Sequence, residues 1–176
     1  MARLFGIFVL CFFSTFSLKA QSVAADSPEY KLVVDYGKTL KQLVTSWHSK
    51  TDGEIIDQKF SSPKIISGQK TEIALKIFHF DQTVSSQEVL SQMEQAGYRP
   101  ATLFELLSFC IASLANLKAG EQFPLFPILA LGSCRFDSDG IKWLPYLVAV
   151  GNENRIYFRS FDTRWNTYFR FLGVHK

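Results

Sequence analysis

The sequence predicts an α+β fold in which two consecutive helices pack on a short-stranded antiparallel sheet, with a small N-terminal αβ extension. Three observations predict it. Residues 85–96 and 102–118 each carry apolar side chains at helical spacing, with little chain between them. A strand-like alternation precedes them at 71–80, and four short strand-like runs, separated by turn residues, follow them. Helices in succession and then hairpins argue against a doubly wound parallel sheet.

The chain has 176 residues. It opens with Arg3, the apolar run Leu4 to Phe16 and then small and polar residues. A charged start, a short apolar stretch and a small-residue cleavage site predict a signal peptide over 1–24, cut after Ala20 or Ala24. The apolar run is short for a membrane span of roughly 20 residues. The bulky Phe8, Val9 and Leu10 before Cys11 do not suit lipid attachment. An exported protein, periplasmic or secreted, with no stable membrane span after signal removal is therefore expected.

Removing Arg3 and Lys19 leaves 17 basic residues against 16 acidic ones. Such a balance creates no strong field for nucleic acid or for an anionic membrane. Two cysteines remain, Cys110 and Cys134. An oxidising compartment permits a disulfide between them, and two buried thiols are the alternative. Without a Cys-x-x-Cys, and with three scattered histidines, the chain carries no zinc constellation. No metal and no cofactor are expected.

Within 25–69, the extension, residues 30–36 read as a strand and Gly37 ends it. Leu40, Leu43, Val44 and Trp47 then form one face of a helix, with Trp47 as core. Residues 54–60 are weakly extended. From 70 to 176 runs the main domain. Ile73, Leu75 and Ile77 alternate with Glu72, Ala74 and Lys76. Ser85 and Glu88 have capping-box spacing, as do Thr102 and Glu105, and Gly97 suits a left-handed helix end. Pro100 keeps Arg99 out of the helical region and forces a break between the helices. Cys110 lies in the apolar stripe of Leu103, Leu106, Leu107, Ile111 and Leu114.

Residues 127–131 form a short strand, and Asp137 to Gly140 a hairpin turn. The same four residues are part of a calcium-loop pattern whose other ligands are missing. Pro145 predicts that the strand at 142–150 is an edge strand or bulged. Residues 155–161 and 168–175 are the last two strands.

Two resemblances follow from these residues. Tyr30 to Tyr36, His79-Phe80-Asp81, Gly97 to Thr102 with Glu105-Leu106-Leu107, Pro127 to Ser133, Pro145-Tyr146-Leu147 and Tyr168 to Lys176 together resemble a family of small bacterial proteins of candidate-phyla type. That family carries no assigned activity, so the resemblance implies none. From 70 onward, Arg99-Pro100-Ala101-Thr102, Glu105-Leu106 and the closing Arg170 to Lys176 resemble C-type-lectin-like domains near the formylglycine-generating-enzyme group. The resemblance implies a C-type-lectin-like fold. It does not imply calcium-mediated sugar binding, because Arg164-Trp165-Asn166-Thr167 lacks the last carboxylate of the lectin triplet and neither Pro triplet occurs. Nor do Cys110 and Cys134 match the copper-binding pair of the oxidase group.

The richest polar and aromatic surface is expected over 155–170. Tyr157, Arg159, Asp162, Arg164, Trp165, Asn166 and Tyr168 suit stacking and fork-like hydrogen bonding to a protein or surface ligand. The bland alternative is that Phe158, Phe161, Phe169 and Phe171 are core and the arginines solvate an outer face. An exported non-catalytic binding or structural domain is the expected function. An exported hydrolase-like enzyme is the other reading, with His79, Asp81 and Glu105 as acid–base groups and His48 as a further candidate. Ser133 lacks the flanking glycines of a nucleophile elbow.

Overall fold

The structure, a computed structural model, describes residues 28–47, 60, 68–116, 126–150 and 153–176. The expected signal peptide, Cys11, His48 and all of the 54–60 strand except Phe60 lie outside the described residues.

Among the described residues, ten strands and three helices follow one another as β1 (Glu29–Asp35), α1 (Leu40–Ser46), β2 (Lys70–Phe78), β3 (Val84–Ser85), α2 (Ser86–Gln95), β4 (Tyr98–Pro100), α3 (Leu103–Ala115), β5 (Ile128–Leu129), β6 (Arg135–Phe136), β7 (Lys142–Val150), β8 (Glu153–Ser160), β9 (Arg164–Trp165) and β10 (Arg170–His175). The fold is α+β with an open, mostly antiparallel sheet. Eight strands form it along the path β1-β2-β10-β5-β7, with β4 also on β10 and both β6 and β8 on β7. β3 and β9 make a separate two-stranded ribbon.

The helices start where side-chain capping predicts. Thr39, Ser85 and Thr102 each accept from the backbone amide three residues on, and Gln42, Glu88 and Glu105 reach back to complete the boxes. Gly97 takes φ +82 just past the end of α2, which a side chain would strain. β4 follows at once and pairs with β10, Tyr98 opposite His175 and Pro100 opposite Gly173. The break between the helices is therefore a ladder strand, not merely extended chain.

That strand carries the chain from one face of the sheet to the other. Val89 and Met93 of α2 pack with Phe78, Leu129, Leu144 and Phe171. Leu103, Leu106, Leu107 and Cys110 of α3 pack instead with Leu43, Val44 and Trp47 of α1 and with Leu75, Leu147 and Leu172. Successive strand residues point to opposite faces, so Phe171 and Leu172 serve different cores. The two consecutive helices thus enclose the sheet between them.

Two expectations are corrected, and one alternative is decided. The sheet contains one parallel pair, β5 with β10. Pro145 lies in an interior strand, since β7 pairs with β8 on one side and with β5 and β6 on the other. It is tolerated because its backbone faces the gap between β5 and β6, where its carbonyl accepts from Ala130. Cys110 and Cys134 are both free thiols. Cys110 lies in the core shared by α1 and α3, whereas Cys134 packs against the core on the α2 side.

β1 pairs with β2 over seven positions, from Glu29 opposite Lys76 to Asp35 opposite Lys70. The described part of 25–69 therefore shares the sheet and the core of the main domain. Antiparallel pairing of β10 with β2, Leu172 opposite Ile77, sets the last strand beside the first strand of 70–176.

Candidate functional site

The antiparallel register of β7 and β8 builds the site. Leu144 stands opposite Arg159, Tyr146 opposite Tyr157 and Val148 opposite Arg155. These six residues share the sheet face that α2 covers further along. Ile156 and Phe158 alternate with them and face α1 and α3. Tyr157 is 37 % exposed, and Arg159 is exposed.

Tyr157 stacks on Tyr146, ring centroids 5.6 Å apart and planes at 29°. Tyr146 meets the edge of Phe169 at 5.8 Å, and the Arg159 guanidinium lies 5.5 Å from the same Phe169 ring. Burial raises the Tyr146 hydroxyl pKa, and the positive charge of Arg159 partly offsets this. Arg155 donates twice to Glu153 Oε2, at 2.6 and 3.2 Å, and once to the Tyr157 hydroxyl at 3.3 Å. Its hydrogen bonds to Glu153 and Tyr157 raise its pKa further. No described acidic side chain pairs with Arg159. The arrangement is a flat aromatic platform bordered by two guanidinium forks, suited to stacking and to binding carboxylates.

The seven residues expected to form one surface separate. Tyr157 and Arg159 lie on the platform. Asp162 sits in the turn after β8, where its amide donates to Ser160 Oγ at 3.2 Å. Arg164 is tied back, 3.5 Å from Glu88 Oε2 and 3.3 Å from the Thr83 carbonyl. Asn166 Oδ1 accepts from the Tyr168 amide at 3.0 Å, and the Tyr168 side chain is 55 % exposed.

Trp165 is corrected: it is fully buried and offers nothing to a ligand. Pairing of β9 with β3 turns it under α2, where its indole N–H donates to Ser86 Oγ at 2.9 Å and its ring meets Phe169 at 5.0 Å. Tyr146 and Arg155, in contrast, belong to the platform and were not among the expected site residues. Only the cross-strand register joins Tyr146 to it. Period-two spacing of Arg155, Tyr157 and Arg159 is the sequence signal for a shared face.

Of the described acid–base candidates, His79 and Asp81 lie together, whereas Glu105 and Ser133 are engaged elsewhere. His79 Nε2 donates to the Thr167 carbonyl at 3.0 Å, which assigns its proton to that nitrogen. Asp81 lies 3.7 Å from Nδ1. Glu105 is fully buried and fully occupied by Arg99, Tyr36 and Thr102. Ser133 Oγ accepts the Leu103 amide at 2.9 Å, a cap on α3. A groove of about 200 Å³ between β1, α1 and α3, lined by Leu32, Leu43 and Ile111, includes none of these groups.

The Asp137 carboxylate closes its own hairpin, accepting from the Asp139 and Ile141 amides and from the Trp143 indole. Among the described residues, no three metal-ligating side chains cluster and no helix is long and apolar enough to cross a membrane. Comparison with protein-family models, with curated proteins and with solved structures finds no match to this chain.

Proposed function

We propose that this chain is an exported, non-catalytic binding domain of C-type-lectin-like fold, and that its contact surface is the β7–β8 platform. One observation carries the reading: Tyr157 and Arg159 stand exposed on the β8 part of the sheet face, and no described acid neutralises Arg159. Aromatic residues and arginine are the side chains that concentrate binding energy in protein contacts. The fold assignment draws support from β10 pairing beside β2 and from the helix, strand, helix order around Pro100. Export draws support from the charged start and short apolar run of 1–24.

Glycan and peptide arrays probed with the wild type and with a Tyr157→Ala/Arg159→Ala double variant test the surface. Loss of the wild-type signals in the variant supports it, and identical profiles overturn it. A mature N-terminus at Gln21 or Ala25 in exported protein supports the localisation, and an intact Met1 in cytoplasmic protein overturns it.

A further inference from the structure

We infer that His79 is a positioning residue for the platform: it pins the loop at 166–169, and that loop aims the Arg159 guanidinium. The inference rests on the platform being the contact surface. His79 follows the last residue of β2, and its Nε2–H donates to the Thr167 carbonyl across 88 positions. Asp81, 3.7 Å from Nδ1, flanks the ring on its other side. The loop is also braced from within. Asn166 Oδ1 accepts from the Tyr168 amide at 3.0 Å, and the Phe169 amide donates to Asn166 O at 3.2 Å. Arg170 Nη1 donates to the carbonyls of Thr167, Tyr168 and Phe169, at 2.8, 3.2 and 3.1 Å. These bonds join near neighbours and set the loop's own shape. The bond from His79 fixes that shape against β2.

Phe169 carries the effect to the platform. Its ring is buried, edge-on to Trp165 at 5.0 Å and to Tyr146 at 5.8 Å. The Arg159 guanidinium rests 5.5 Å from the centroid of the same ring. A guanidinium held on an aromatic ring keeps few of the orientations that an exposed arginine otherwise samples. Less side-chain freedom is then lost when the fork meets a partner's acceptor group. Arg155, on the same strand, is held instead by Glu153 and the Tyr157 hydroxyl. The sequence of contacts His79, Thr167, Phe169, Arg159 therefore joins the end of β2 to the exposed part of the platform, and Arg155 serves as an internal control.

Phenylglyoxal modification of the intact chain, followed residue by residue by mass spectrometry, reads the freedom of each guanidinium. His79→Ala is expected to speed modification of Arg159 about fivefold, the scale of one exposed cation–π contact, and to leave Arg155 at its wild-type rate. His79→Gln, whose amide places a donor near the position of Nε2, is expected to restore the wild-type rate. Phe169→Leu is expected to speed Arg159 as well, with no further gain on adding His79→Ala. Equal Arg159 rates in wild type and His79→Ala overturn the pinning. Equal acceleration of Arg155 and Arg159 is general loosening and overturns the positioning role. Failure of His79→Gln to restore the rate overturns the assignment to the Nε2–H bond. On the glycan and peptide arrays, His79→Ala is expected to weaken the wild-type signals about fivefold, and unchanged signals beside a faster Arg159 overturn the link to binding. Identical array profiles in wild type and Tyr157→Ala/Arg159→Ala remove the platform itself, whatever the modification rates.

Discussion

Arg99 grips both oxygens of the buried Glu105 carboxylate, with Nη2 2.6 Å from Oε1 and Nη1 3.1 Å from Oε2. Glu105 also accepts from the Thr102 amide at 2.8 Å and from the Tyr36 hydroxyl at 2.8 Å. One carboxylate thus caps α3, holds β4 through Arg99 and fastens the turn after β1. Removing one partner of a buried pair leaves the rest uncompensated. Glu105→Gln is expected to cost about 3 kcal/mol in urea unfolding at neutral pH.

The same clasp sets an acid limit. Burial opposes ionisation of Glu105, but Arg99 and Thr102 outweigh it and hold the carboxyl below its ordinary range. Its stabilising contribution is therefore complete above the unfolded carboxyl pKa of about 4.3 and is lost as pH falls through the lower folded value. Thermal melts from pH 6 down to pH 2 are expected to show a steeper loss below about pH 4 in the wild type than in Glu105→Gln. Parallel curves would refute the assignment.

Tyr36 offers a milder test. Its ring stacks on Phe104 at 5.4 Å while its hydroxyl donates to Glu105. Tyr36→Phe keeps the stack and loses one hydrogen bond to a charged acceptor. A loss of about 1.5 kcal/mol is expected in the same denaturation measurement.

Gly132 lies against the helix break. A Cβ there would sit 2.7 Å from the Pro100 carbonyl oxygen and 2.8 Å from that of Ala101, both backbone atoms. The Gly132 amide also donates to Ala101 O at 2.9 Å. Gly132→Ala is expected to destabilise by about 3 kcal/mol, read as a lowered melting temperature. Gly97→Ala meets no neighbouring atom but must hold φ +82, and about 1 kcal/mol is expected.

The two thiols differ in reach. Burial pushes the Cys110 thiol pKa far up and keeps it from reagent. Timed alkylation with mass spectrometry is expected to modify Cys134 first and Cys110 only on unfolding. Purified protein lacking residues 1–24 is expected to carry two titratable thiols after denaturation without reductant, and none would restore the disulfide.

Local chemistry was legible in the sequence. The caps at Ser85 and Thr102, the left-handed Gly97 and the forced break at Pro100 act over three or four residues, so the sequence by itself determined where α2 begins and ends and where α3 begins. Burial of Trp47 and Cys110 followed from helical spacing for the same reason. Tertiary structure alone decided which residues meet across the chain. It set α2 and α3 on opposite faces, tied Tyr36 to Glu105 across 69 positions and gave Pro145 a gap to face. It also divided the expected site. Arg164-Trp165 pairs with Val84-Ser85, which buries Trp165, while Tyr157 and Arg159 stay exposed on β8. Exposure of an aromatic side chain depends on what covers it, and that is settled by strand register and packing between distant segments.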